Sequence, residues 1–207
     1  EPSGQLYRVG RDGRLSVRDS GYVITNGPTA SPDGRTLYHT DTLQRVVYAF
    51  DLGDDGSLER KRVFTNIDGT GYPDGMAVDE EGCVWIALFG GGRIERFSPD
   101  GRCVGRVAFP CSNITKLAFG GDDLQTVYAT TARKGLTYEA LQKEPLAGGL
   151  FMFRAPVKGL PSTECAVTFP QRSPINPDGR ARALPGCDTG RGHRTSTVRS
   201  PWTGAPC

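Results

Sequence analysis

The internal repeat of this chain constrains its fold more than any other feature of the sequence. Asn26-Gly27-Pro28 and Asp74-Gly75-Met76 lie 48 residues apart, and a turn glycine, Gly34 or Gly82, follows each polar residue eight positions later. A looser third copy has Thr115 at the position of Asn26 and Asp74. The period is roughly 41 to 48 residues, filled with short apolar runs between Asp-Gly and Gly-Gly turns. Such a repeat predicts an all-β fold in which each copy is one four-stranded blade of a β-propeller.

Local patterns elsewhere in the chain agree with strands separated by turns. Residues 46–50, Arg93–Phe97 and 103–107 are short β-rich runs bounded by turn residues. Residues 137–143 are the segment predicted to be helical, and the proline that follows at 145 is expected to end it. The acidic run Asp79-Glu80-Glu81 is predicted to be a solvated turn.

Composition excludes some classes of partner and suggests a compartment. The net charge is +2 with 23% charged residues, which is too balanced to favour nucleic acid or an anionic membrane. No apolar run approaches the roughly 18 residues of a membrane span. Cys83, Cys103 and Cys111 lack metal-ligand spacing and are predicted to be buried free thiols. Free thiols favour a reducing compartment, and we therefore expect a cytoplasmic protein.

The last part of the chain breaks the pattern. Residues 161–207 contain seven prolines, five glycines and six arginines, with no lysine and no alternation of apolar and polar residues. Such a composition buries too little apolar surface to offset the entropy of ordering. Two interpretations stay open: a disordered tail, or a stretch that is not native coding sequence, as a shifted reading frame in GC-rich DNA would produce. We thus divide the chain into a partial propeller, 1–160, and a tail.

The first two repeats place oxygen donors at equivalent positions. Inner strands of a propeller surround a central channel, so Asn26 and Asp74 are expected to point toward one axis. Amide and carboxylate oxygens suit a hard divalent cation such as calcium, magnesium or manganese. Taken alone, Asn-Gly and Asp-Gly are common turn dipeptides. Both residues, however, stand eight positions ahead of the turn glycine, where a strand begins, and this favours a metal site that needs at least one further donor.

The two histidines are not predicted to be ligands of this metal site. His39 and His193 are the two histidines of the chain, and their separation argues against a zinc pair. We predict that His39 is a strand residue whose hydrogen bonds are satisfied.

Several motifs follow one another in a fixed order along residues 1–160: Thr25-Asn26-Gly27-Pro28, Ser31-Pro32-Asp33-Gly34, Tyr72-Pro73-Asp74-Gly75-Met76, Gly91-Gly92-Arg93-Ile94 and Phe119-Gly120-Gly121. In these motifs the chain resembles the gluconolactonase family, which includes regucalcin. The resemblance implies a six-bladed propeller, represented here by roughly three and a half to four blades. It also implies one divalent metal ion in the channel and hydrolysis of sugar lactones.

The resemblance also implies roles for individual residues. Asn26 and Asp74 match the family's metal-binding asparagine and aspartate. Glu1 matches a glutamate that contacts substrate hydroxyls. A third metal ligand, a glutamate, would lie upstream of Glu1. We therefore expect a site in which calcium, zinc, manganese or magnesium polarises the lactone carbonyl and Asp74 serves as both ligand and general base.

Two further expectations follow from the missing parts. An incomplete ring leaves strand edges unpaired, so the chain itself is expected to be inactive or weakly stable. The alternative function is a propeller that binds calcium or a protein partner without catalysis, because the fold alone does not select an activity.

Overall fold

The computed structural model describes residues 1–162 together with the backbone of residues 195–197 and 203–204. Strands dominate this part of the chain. In chain order they are β1 Gly4–Val9, β2 Leu15–Tyr22, β3 Thr25–Ala30, β4 Thr36–Asp41, β5 Val46–Leu52, β6 Leu58–Asn66, β7 Tyr72–Val78, β8 Val84–Phe89, β9 Arg93–Phe97, β10 Cys103–Ala108, β11 Ile114–Gly120, β12 Thr126–Thr131, β13 Leu150–Arg154, β14 Thr195–Thr197 and β15 Thr203–Gly204. The prediction of an all-β chain is confirmed. No helix among the described residues is long and apolar enough to cross a membrane.

The strands form successive antiparallel sheets that follow the repeat. One sheet has the order β3-β4-β5-β6, the next runs β7-β8-β9-β10 with β15 at its edge, and a third runs β11-β12-β13 with β14 at its edge. β1 and β2 form a separate two-stranded sheet. The first strands of the three larger sheets lie side by side, β3 against β7 and β7 against β11. Sheets that pack through their first strands in this way are the blades of a propeller.

The middle sheet is buried on both faces, and β8 shows why. Trp85 and Ala87 join the apolar cluster shared with the third sheet, whereas Val84, Ile86 and Leu88 join the cluster shared with the first. Side chains alternate between the two faces of a strand, so a strand with two buried faces needs an unbroken apolar run.

The same turn joins consecutive strands at five places in the described part of the chain. In each copy the fourth residue, a glycine, donates its N–H to the carbonyl oxygen of the first residue, and the first residues are Gly10, Ser31, Gly53, Asp79 and Ser98. The prediction that Asp79 belongs to a solvated turn is wrong, because its side chain is fully buried while Glu80 and Glu81 are exposed. As the first residue of the turn, Asp79 points inward.

The single predicted helix is present. α1, Tyr138–Lys143, is capped by the Thr137 hydroxyl, which accepts from the Ala140 N–H at 3.2 Å. The Glu144 carboxylate that follows accepts from both the N–H and the hydroxyl of Ser112, at 2.8 and 2.9 Å. The helix is thereby fixed to the loop that precedes β11.

Cys103 and Cys111 are free thiols. Cys83 and Cys111 are buried as predicted, and burial raises the pKa of the Cys111 thiol. Cys103 is exposed, which contradicts its predicted burial, because its side chain lies at the outer edge of the blade at the start of β10. The prediction for residues 161–207 concerns residues that, apart from the two short edge strands and the first two positions, lie outside the described part, and it stays a prediction.

His39 gives the fold a specific sensitivity to acid. Its ring is 2% exposed and lies edge-on to Tyr22, with centroids 4.5 Å apart. The Nδ1 atom has no hydrogen-bond partner among the described residues, so the prediction of a satisfied histidine is wrong. Burial disfavours the imidazolium and lowers the pKa of His39 to about 4.

We predict that this histidine destabilises the fold as pH falls. The unfolded chain binds a proton near pH 6.5 but the folded chain binds it only near pH 4, so the free energy of unfolding falls across that window by up to about 1.4 kcal/mol per pH unit. Urea unfolding of the wild type and His39→Gln between pH 7 and 5 measures this slope. The carboxylates are common to both proteins, so the difference between them isolates His39. Equal slopes would contradict the prediction.

Candidate metal centre

A shift in strand register lies near the start of all three inner strands. It falls between Asn26 and Thr29 in β3, between Pro73 and Met76 in β7, and between Ile114 and Lys116 in β11. Register shifts of this kind are typical of β-bulges, which redirect side chains and often border functional sites. We call them the three bulges. They contain the three repeat-equivalent residues Asn26, Asp74 and Thr115.

The three bulges are neighbours in space. A Cβ atom added at Gly27 would lie 2.6 Å from the Met76 Cε, so the first bulge lies against the second. A Cβ atom at Gly75 would lie 2.8 Å from the Thr115 carbonyl oxygen and 2.9 Å from the Lys116 Cα, so the second lies against the third. Both glycines are thus required for the close approach of adjacent blades.

A chain of two hydrogen bonds orients the Asn26 amide. Its Nδ2 donates to the Thr42 Oγ1 at 2.9 Å, and that hydroxyl donates to the Pro73 carbonyl oxygen at 2.9 Å. Since the Thr42 proton is used on Pro73, the hydroxyl can only accept from Asn26, and this fixes which end of the amide faces it. The Asn26 Oδ1 is left on the opposite side. Thr42 also ties the first blade to the residue that precedes Asp74.

Asp74 is half-buried at the start of β7. Burial raises the pKa of its carboxyl group to about 6, and the nearby Lys116 ammonium lowers it again in part. The two side chains form no direct ion pair in the part of the chain that the structure describes. The charge of Asp74 is therefore only partly compensated by protein, as is typical of a carboxylate that binds a cation.

Lys116 follows Thr115 at the third bulge. Its Nζ donates to the Met76 carbonyl oxygen at 2.6 Å, and surrounding protein lowers the pKa of the ammonium while Asp74 raises it. Thr115, at the repeat position itself, is engaged elsewhere: its hydroxyl lies 3.1 Å from the Thr130 carbonyl oxygen and 2.7 Å from the Thr130 hydroxyl. The third repeat therefore contributes a cation from the next position along the strand.

The chemistry of these residues fits a divalent cation in part. The oriented amide oxygen of Asn26 and the undercompensated carboxylate of Asp74 are the oxygen donors that hard cations prefer. No group of three or more His, Cys, Asp or Glu side chains is placed to hold a metal ion within the described residues. Asn26 and Asp74 could thus supply two donors, and the rest would have to come from beyond this group.

Glu1, the predicted substrate-binding residue, is exposed and precedes β1. Its assignment stays a prediction. Two residues of the site were missed by the sequence reasoning. Thr42 lies one residue beyond β4 and has no counterpart in the repeat pattern. Lys116 could have been noticed as the residue beside Thr115 in the third copy of the repeat.

Comparison with known proteins assigns the family. A family model described as the SMP-30/gluconolactonase/LRE-like region matches residues 1–133. The chain belongs to this family. Among relatives, the 6-deoxy-6-sulfogluconolactonase of Pseudomonas putida is 40% identical over 159 residues, which is 75% of this chain and 54% of that protein. Regucalcin of Danio rerio is 39% identical over 160 residues, again 75% of this chain and 54% of the relative.

A solved structure gives the same result for the fold. The crystal structure of a calcium-binding protein, regucalcin, from Agrobacterium tumefaciens superposes with a TM-score of 0.72 and 29% identity, over 81% of this chain and 57% of that one. The chain thus spans about half the length of the relatives it matches. The predicted resemblance and the predicted propeller fold of this SMP-30/gluconolactonase-family chain are confirmed.

Proposed function

We propose that this chain contributes to the active site of a metal-dependent hydrolase of sugar lactones, with Asn26 and Asp74 as metal ligands. The observation that carries the proposal is the contact between the first two bulges. Thr42 links the Asn26 amide to the backbone next to Asp74, so the two donors are held on adjacent strands. The names of the relatives, which include a gluconolactone-type lactonase, support a lactone as substrate.

Lactone hydrolysis requires a polarised carbonyl group and a water molecule that loses a proton. A divalent ion held by Asn26 and Asp74, whether calcium, zinc, manganese or magnesium, would supply Lewis-acid polarisation of the carbonyl. Asp74 is the proposed acceptor of the proton of the attacking water, because it is the carboxylate at the second bulge, which lies against the bulge that contains Asn26. Asn26 is neutral, so its role is limited to binding and orienting the metal ion. We assign Glu1 to the substrate hydroxyls.

The cytoplasmic location belongs to the same proposal. The support is chemical: Cys103 and Cys111 are free thiols, as is usual in a reducing compartment. The balanced net charge of +2 gives no reason to add a nucleic acid or membrane partner.

The proposal is tested by restoring metal ions to the chelated chain. Protein treated with EDTA and then dialysed is assayed on glucono-δ-lactone by pH-stat, alone and with manganese, zinc, calcium or magnesium. We expect any hydrolysis above the spontaneous rate to require an added metal ion. Equal rates with and without every metal would contradict metal dependence, and rates that never exceed the spontaneous one would contradict activity in this chain.

A second function is favoured by what one structural relative is described as binding. Regucalcin of Agrobacterium tumefaciens is described as a calcium-binding protein. If the chain binds calcium through Asn26 and Asp74 but hydrolyses no lactone, it is a calcium-binding or partner-binding propeller. Calcium titration by calorimetry, run beside the pH-stat assay, separates the two functions.

A further inference from the structure

Lys116 is a cation built into the candidate metal centre by close packing between blades. A Cβ atom at Gly75 would lie 2.3 Å from the Lys116 Cδ, so the lysine stem crosses the second bulge where a glycine leaves room for it. The ammonium is then anchored on the Met76 carbonyl oxygen at 2.6 Å. Its position is therefore fixed from both ends of the side chain.

Within the described part of the chain, few charged groups lie near the Lys116 ammonium. It lines a cavity of ≈ 570 Å³ between the inner strands, and Lys116 is the only charged residue among the described residues of that lining. The remaining lining residues are apolar or neutral, among them Pro28, Leu117 and Phe119. Asp74 is the acidic group with which Lys116 interacts electrostatically. The Asp74 carboxylate thus interacts with the Lys116 ammonium and, under the proposed function, with a metal ion as well.

From this arrangement we propose that Lys116 is a positioning residue that acts as an internal counter-cation to Asp74 and weakens the binding of divalent metal ions there. The inference rests on the proposed function, since it assumes that Asp74 is a metal ligand. Two cations near one carboxylate repel each other, and the repulsion is strong where water is partly excluded. The lysine charge thereby keeps the bound ion exchangeable.

The test is the metal affinity of the full 207-residue chain, measured for Mn²⁺ by calorimetry at pH 7.5. Lys116→Met is expected to bind Mn²⁺ at least about tenfold more tightly than the wild type, although it loses a hydrogen bond. Lys116→Arg keeps the charge and is expected to stay within about threefold of the wild type. Lys134→Met removes an exposed lysine from another surface and controls for net charge.

The second readout is thermal unfolding with and without saturating Mn²⁺. Tighter binding predicts a larger metal-induced rise in Tm for Lys116→Met than for the wild type. Lys116→Gln provides a second neutral variant should the methionine disturb folding. In the double variant with Asp74→Asn, the gain in affinity is expected to vanish.

The outcomes separate this inference from the proposed function. If the wild type binds Mn²⁺ and both Lys116→Met and Lys116→Gln bind it equally or more weakly, the proposed role of Lys116 is overturned. The metal centre itself is not affected by that result. An absence of Mn²⁺ binding in every variant overturns the metal centre itself, and the role of Lys116 with it. Tighter binding without any hydrolysis supports the role of Lys116 and contradicts the lactonase.

Discussion

Asp74→Ala is expected to abolish metal-dependent lactone hydrolysis, with a loss of about 10²-fold or more. Two functions are removed together, because the proposal makes Asp74 both the charged ligand and the base. The alanine leaves the Asn26 amide as the one remaining donor of the pair, and a neutral amide alone holds a divalent ion weakly. The measurement is kcat/KM on glucono-δ-lactone at saturating metal, together with the Kd for Mn²⁺.

Two matched variants make this result specific. Asp74→Asn keeps an oxygen ligand but no base, so it is expected to lose hydrolysis while retaining part of the metal affinity. Asp122→Ala removes an exposed carboxylate elsewhere and is expected to change neither quantity by more than about twofold. If the chain proves inactive even with metal, the Kd carries the test alone. Unchanged affinity for Mn²⁺ in Asp74→Ala would contradict the assignment of Asp74 as a metal ligand.

Asp79→Ala is expected to lower the free energy of unfolding by about 3–5 kcal/mol. The buried carboxylate accepts four hydrogen bonds: from the Glu81 and Cys83 N–H groups at 3.0 and 2.9 Å, from the Trp85 indole at 2.7 Å and from the Arg96 guanidinium at 2.8 Å. Its loss would leave the 8% exposed Arg96 without its buried counter-charge and the donors of one turn without an acceptor. Urea unfolding monitored by tryptophan fluorescence gives the value.

Asp33→Ala is the matched control for Asp79. Asp33 lies in the equivalent turn of the preceding blade but is exposed at its third position, where it accepts from the Ser31 hydroxyl at 2.5 Å and the Arg35 N–H at 3.1 Å. Its removal is expected to lower the urea midpoint much less than Asp79→Ala does, since water replaces the lost partner. A loss below about 1 kcal/mol for Asp79→Ala would show that the fold does not depend on the buried carboxylate.

The contrast between these two aspartates shows where sequence reasoning reaches its limit. Laid over each other, the repeats place Asp79 on Ser31 and not on Asp33. The first residue of this turn is buried in the copies that start at Asp79 and Ser98, whereas the third residue, Glu81 or Asp100, is exposed. A charged run of three acidic residues indicates a solvated loop only on average, and the turn register decides which member is buried.

The predicted burial of Cys103 and the predicted hydrogen bonding of His39 were wrong for a related reason. Apolar patterning identified their strands correctly, β10 and β4. Packing of the neighbouring sheets decides whether the Cys103 thiol is exposed and whether the His39 Nδ1 atom has a hydrogen-bond partner. Propensity gives the strand, but the packing of neighbouring sheets decides the environment of each side chain.

The repeat in the amino-acid sequence was enough to predict the blade period, the strands and the placement of Asn26 and Asp74 at the start of inner strands, because a repeat puts equivalent residues at equivalent positions. The positions of Thr42 beside the Asn26 amide and of Lys116 near the Asp74 carboxylate emerge from the packing of the blades. The hydrogen bonds that hold these two side chains, from Thr42 to Pro73 and from Lys116 to Met76, each join different blades and link residues 31 and 40 positions apart in the chain. Such contacts arise from how closely glycine-containing bulges allow adjacent strands to approach, and a linear pattern does not encode that distance.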